Sequence, residues 1–184
     1  MAGRQREFEQ VINEHFARIH RAALLLTGNP WDADDLAQET FLVFARSRHR
    51  FGQRSRLYTW LYGILLNLEK RERRRRFRER RRIVEWHGRR QAWPETEPGA
   101  GWQLEWTEWK QSLWAQVATL PDGQRHALVL RFGEGLRYEE IAAVLGCPLG
   151  TVKSRIYNGL MALRAWCRQN ESASDSIDFS VEGQ

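Results

Sequence analysis

The sequence predicts an all-α protein: two small helical domains joined by a flexible linker, the second containing a helix-turn-helix. Three observations carry this. Apolar residues recur at helical spacing in both halves of the chain, the stretch between the halves turns abruptly to Pro, Gly, Glu and Trp, and Tyr138 to Tyr157 reads as two short helices meeting at a tight turn. The divisions fall at residues 1–86, 87–108, 109–168 and 169–184.

Phe8, Val11, Ile12, Phe16, Ile19 and Ala23 define the first helix, which the cluster Gly28-Asn-Pro30 ends. Asp32, Asp34 and Asp35 suit the first turn of a second helix, where carboxylates meet the positive end of the dipole. Leu36, Phe41, Val43 and Phe44 continue it toward Arg48. A basic loop from Arg48 to Arg56 leads into a third long helix from Leu57. The run Lys70 to Arg82 holds nine Arg and one Lys against two Glu, so the chain is expected to turn from core to surface near Glu69. Such a run supplies phosphate contact with little sequence choice; a disordered basic linker or an RNA-binding arm is the alternative.

Five of the nine tryptophans, Trp86, Trp93, Trp102, Trp106 and Trp109, lie in or bound the linker. Either they fold onto the domains or they meet a partner. From Trp109 a helix carries Leu113, Trp114, Val117 and Leu120. Pro121 breaks it, and Ala127 to Phe132 supplies another before the helix-turn-helix. The tail after Arg168 is acidic, Ser-rich and expected to be disordered.

In the helix-turn-helix, Ile141, Ala142 and Leu145 form one apolar stripe, Gly146 suits a left-handed helix stop, and Pro148 suits the first turn of the next helix. Val152, Ile156, Leu160 and Leu163 give that second helix its buried side. At 100° per residue, Ser154, Tyr157 and Asn158 lie farthest from this stripe, with Thr151 and Lys153 on the flanks. Lys bonds guanine edges, Asn adenine and Ser either, while Arg155 suits a phosphate. The bland alternative is a two-helix hairpin with a polar outer face.

The net charge of +6 is unevenly spread, at +8 over residues 1–86, −2 over 87–108, +4 over 109–168 and −4 over the tail. Two basic domains separated by acidic segments favour a polyanion touched at two places, with nucleic acid ahead of a membrane surface. No apolar run is long enough to cross a bilayer and the N-terminus lacks a hydrophobic signal core, so a cytoplasmic protein is expected. Cys147 and Cys167 stand about 30 Å apart along a helix, too far to pair, and neither has metal-site neighbours. No nucleophile, metal cluster or phosphate loop points to an enzyme, and no catalytic residue or cofactor is expected.

Two ordered blocks, Asp32-Ala-Asp-Asp-Leu-Ala-Gln-Glu-Thr-Phe41 with Tyr58-Thr-Trp-Leu61 and Asn67, then Leu120-Pro-Asp-Gly-Gln-Arg125 through Gly150-Thr-Val-Lys-Ser-Arg155, carry a family likeness. The chain resembles a bacterial extracytoplasmic-function sigma factor, with regions 2 and 4 of the sigma-70 family, over nearly all of Phe8 to Arg168. The resemblance implies that residues 1–86 bind core RNA polymerase and melt the minus-ten element, and that residues 109–168 read the minus-thirty-five element of promoter DNA. Asp35, Gln38 and Glu39 match the segment that grips the β′ clamp helices; an Arg-bearing coiled coil suits exposed carboxylates on one helical side. Read from the residues alone, the alternative is helix capping and solvation, with Asp32 expected to supply the cap.

By the same likeness the minus-ten surface comprises Arg54, Ser55, Arg56, Tyr58, Trp60, Asn67, Arg71 and Arg74, since unpaired bases stack on aromatics and are held by nearby polar groups. Trp60, spaced with Leu61 and Ile64, fits a core as well as it fits DNA. The minus-thirty-five contacts fall on Thr151, Lys153, Ser154, Arg155, Tyr157 and Asn158. Further partners implied are the polymerase β flap and an anti-sigma factor, and the linker is expected to follow the RNA exit path. The chain departs from many relatives at Gly52, Gly63 and Asn158-Gly-Leu160. A dimeric helix-turn-helix regulator that binds operator DNA without polymerase is the rival; the alternating strands and helices of a receiver domain are missing from residues 1–86.

Overall fold

The computed structural model describes residues 2–51, 56–87 and 108–169, with side chains from Phe8 onward and none between residues 80 and 108. Within them the chain is helical and contains no strand, as the periodicity predicts. Seven α-helices run in order: α1 (Ala2–Thr27), α2 (Pro30–Ser47), α3 (Leu57–His87), α4 (Glu108–Thr119), α5 (Asp122–Leu128), α6 (Tyr138–Leu145) and α7 (Leu149–Gln169). The linker and the acidic tail lie outside the described residues.

Local chemistry sets the boundaries. Gly28 takes φ +66°, which stops α1 where a side chain would be strained. Asn29 then caps α2, its side-chain oxygen accepting from the Asp32 amide at 3.2 Å, with Pro30 at the first helical position. The cap is therefore Asn29 rather than an aspartate. Pro121 opens α5 instead of merely ending α4, because its carbonyl accepts from the amides of Gln124 and Arg125. That start lies five residues ahead of the one expected at Ala127, and a single π-turn over Val129–Gly133 follows. Gly146 adopts φ 59° at the end of α6, and the Pro148 carbonyl takes the first amides of α7.

Helices α1, α2 and α3 form the first body around Ile19, Leu26, Leu36, Phe41, Phe44, Leu61 and Leu65, all buried. Helices α4 to α7 form the second around Val117, Leu120, Leu128, Leu130, Ile141, Val152, Ile156 and Leu163. Leu160, expected on the inner side of α7, is only half-buried. Gly159 takes that place, because a Cβ there would stand 2.8 Å from Leu128 Cδ1. The two bodies pack on each other through α1 against α4 and the π-turn, and through α3 against α6.

Their contact is charged. Glu69 of α3 is 5% exposed, its carboxylate 2.6 Å from Arg125 Nη2 and 2.9 Å from His126 Nε2, both on α5. The expected turn from core to surface at Glu69 is thus displaced toward the arginine run, because α5 covers this position. On the other side of the seam Glu134 is buried. It accepts from Arg21 Nε and Nη2 at 3.0 and 3.2 Å and from the Tyr62 hydroxyl, and Arg18 stands 3.5 Å away. Burial first and the Glu134 charge second push the Tyr62 hydroxyl far above its usual titration range.

Candidate nucleic-acid and polymerase interfaces

Asp35, Gln38 and Glu39 are exposed together on α2, opposite the buried Ala33, Leu36, Ala37, Thr40 and Phe41. The face is longer than the sequence reading made it. Trp31 and Leu42, 60% and 54% exposed, lie one turn beyond Asp35 and Gln38 at each end. A stripe at 31, 35, 38 and 42 is helically spaced, and that spacing in an otherwise polar row was the available signal. Asp32 and Asp34 do not belong to the face. Asp32 forms a bidentate pair with Arg76, both oxygens at 2.6 Å, which raises the Arg76 pKa, and Asp34 stands 2.7 Å from His20 Nε2.

The predicted minus-ten residues separate into four groups. Arg54 and Ser55 lie outside the described residues. Trp60 is half-buried, edge-on to Phe44 at 5.5 Å and tilted against Phe51 at 5.3 Å, within an aromatic cluster of the first body. Asn67, Arg71 and Arg74 are exposed on α3. With Lys70, Arg73, Phe77, Arg78 and Asp122 they line an open groove of about 710 Å³. Arg71 also reaches Glu39 at 2.6 Å, joining this groove to the α2 face. Burial lowers the Arg73 pKa, and the neighbouring Arg125 lowers it further.

Arg56 and Tyr58 have a different fate. The Tyr58 hydroxyl donates to Glu140 of α6, and Arg56 Nη1 lies 3.3 Å from both groups. Arg18 and Arg56 stack over the Tyr58 ring at 5.6 and 5.9 Å. The Tyr58 hydrogen bond, then the Arg137 amide at 2.9 Å, hold the Glu140 carboxyl below its usual range. Glu69, Asp122, Glu134 and Glu140 were not foreseen in any site. Nothing in the neighbouring sequence of these acidic residues reveals a partner 49 or more positions away.

On α7, Lys153, Ser154, Tyr157 and Asn158 are exposed, with Tyr157 61% exposed, while Thr151 and Arg155 are half-buried. The outward four match the angular expectation. Arg155 instead lies back over the turn: its Nη1 stands 3.5 Å from Cys147 Sγ and its Nε 2.9 Å from where a Cβ on Gly123 would be. Met161, 44% exposed one turn beyond Tyr157, extends the face. Ser154 Oγ donates to the Thr151 carbonyl at 3.0 Å, and as an acceptor its hydroxyl oxygen is still available. Among the described residues no helix is long and apolar enough to cross a membrane.

A three-helix body with a basic α3 groove, followed by a four-helix body that presents a polar recognition helix, defines a two-module DNA-binding protein of the sigma-70 type. The family model for sigma-70 region 2 matches residues 11–79, and that for sigma-70 region 4 matches residues 110–163. The chain belongs to the extracytoplasmic-function sigma factors. It is 36% identical to the sigma factor SigE of Mycolicibacterium smegmatis over 90% of this chain and 63% of that protein. It is 37% identical to the sigma factor EcfG of Rhodopseudomonas palustris over 78% of this chain and 75% of the relative. Among solved structures, the sigma factor RpoE of Bartonella quintana, crystallised with the anti-sigma factor NepR, matches with TM-score 0.65 at 26% identity, over 88% of this chain and 97% of RpoE.

Proposed function

We propose that this chain is the promoter-specificity subunit of a bacterial RNA polymerase and catalyses nothing itself. The α2 face docks on the β′ clamp helices, with Trp31 and Leu42 as apolar anchors around Asp35, Gln38 and Glu39. Region 2 takes up the melted minus-ten strand. The α3 groove follows its phosphates, while Arg56 and Tyr58 with the loop before them meet an unpaired base. Region 4 meets the β flap and sets Lys153, Ser154, Tyr157 and Asn158 into the major groove of the minus-thirty-five element. Residues 1–86 and 109–168 are the two working units, joined by residues 87–108. The protein acts in the cytoplasm, and an anti-sigma factor restrains it, as the RpoE complex suggests by analogy.

The observation that supports this most is the pairing of two separate polar faces, on α2 and α7, in a chain that matches both sigma modules in order. An activator that only binds operators has no need of the first. Asp35→Arg with Gln38→Ala tests it: both residues are exposed, so the fold persists, and co-elution with core RNA polymerase is lost. Retained co-elution would remove these residues from the polymerase interface.

A further inference from the structure

The arginine run of α3 has two sides that differ in what neutralises them. Arg75 and Arg76 are held by Glu72, Glu79 and Asp32. Lys70, Arg74 and Arg78 are exposed and meet no carboxylate among the described residues. Phe77 stands on this second side, 63% exposed and outside the hydrophobic core. It lies one helical turn beyond Arg73 and Arg74 and next to Arg78, so guanidinium groups are its neighbours along the helix. All of them line the same open groove.

Uncompensated positive charge calls for a polyanion. A duplex offers phosphates to the outside of its backbone, which satisfies the arginines and leaves a benzyl ring against charged oxygens. An unpaired strand offers phosphates and the faces of its bases together, and Phe interleaved with Arg meets both. We propose that Phe77 is a second base-stacking position of region 2: an unpaired base of the DNA strand lies on its ring while Lys70, Arg74 and Arg78 hold the flanking phosphates. This deepens the reading of the α3 groove as the path of the melted strand and rests on it. At 1.5 Å per residue Phe77 stands about 28 Å along α3 from Tyr58. A strand that keeps 3.4 Å per nucleotide therefore meets the two aromatic positions about eight nucleotides apart. Phe carries no hydrogen-bonding group, so Phe77 selects the unpaired state of the strand and not its sequence.

Three labelled probes titrated against the full chain test this by fluorescence anisotropy. They are a mixed-sequence single-stranded oligodeoxynucleotide of about sixteen nucleotides, long enough for both positions, its duplex, and an equally long strand of abasic sugar-phosphate units. Phe77 is exposed, so its replacement leaves the helices in place. Phe77→Ala and Phe77→Leu weaken the single strand about 5- to 150-fold, the worth of one base stacked on a ring, and leave the other two probes unchanged. Phe77→Trp keeps the parent affinity. Arg74→Ala with Arg78→Ala weakens all three probes and flattens the salt dependence on the single strand by about 0.7 in log slope for each phosphate released. Unchanged single-strand affinity in Phe77→Ala, or equal losses on single strand and duplex, overturns the stacking alone. A parent that binds no probe, or an arginine pair whose loss leaves all three unchanged, overturns the groove as a DNA surface and the stacking with it.

Discussion

Glu69→Leu is the most searching single change in the seam. The Glu69 carboxylate is the strongest partner of Arg125, at 2.6 Å from Nη2, and Arg125 has no exposed surface. Its remaining bonds run to the Leu120 carbonyl at 3.0 Å and to Asp122 at 3.0 Å, and Nε is buried without an acceptor among the described residues. Taking away one member of a buried ion pair costs about 3–5 kcal/mol, because the other charge stays desolvated. Arg125 keeps the Leu120 carbonyl and Asp122, which holds the loss near the lower figure. For a protein of this size, about 3 kcal/mol lowers Tm by about 6–12 °C, read by far-ultraviolet circular dichroism. Adding Arg125→Met removes the stranded charge, so the double variant is more stable than Glu69→Leu alone. A shift under about 2 °C, or a double variant that falls by the sum of the two single losses, refutes the claim that Arg125 depends on Glu69.

Other outcomes follow from single groups. Lys153→Ala with Ser154→Ala keeps polymerase binding and the fold, since both side chains are exposed, and loses footprinting over the upstream element. Gly146→Ala costs about 1–2 kcal/mol in urea unfolding, because φ 59° is strained for any residue with a Cβ. The Glu140 carboxyl lies below its ordinary value of 4.5 through Tyr58 and the Arg137 amide. The Asp122 carboxyl lies below 3.8 because Arg125, His126 and Arg73 outweigh its burial. Folded, these groups bind protons less readily than unfolded, so their contribution is complete above their ordinary values and is lost as pH falls through the depressed ones. Their share of the loss begins below about pH 5, separate from the decline that His15, whose pKa burial lowers, contributes as pH falls below 6.5; a Tm that stays flat from pH 5 to 3 would contradict the carboxylate contribution.

The elements that could be read from sequence are those whose signals are local. Gly28, Pro30, Gly146 and Pro148 mark ends that the backbone itself dictates, and the exposed positions of α7 follow from its apolar period. Glu69 could not be placed this way. A glutamate beside an arginine run reads as solvated, and it is buried only because α5, more than 50 residues on, brings Arg125 and His126 over it. Trp60 was open between core and DNA for a similar reason: Phe44 and Phe51 come from separate elements and decide its packing. Gly159 in place of Leu160 on the inner side of α7 reflects the close approach of Leu128, which periodicity alone does not report.

The most direct test of the sigma reading is transcription from a genomic fragment library by bacterial core RNA polymerase with and without the purified chain. Start sites that depend on the chain and share two spaced upstream elements are the expected result. Binding to duplex DNA as a dimer, with no association with polymerase and no new start sites, would contradict it.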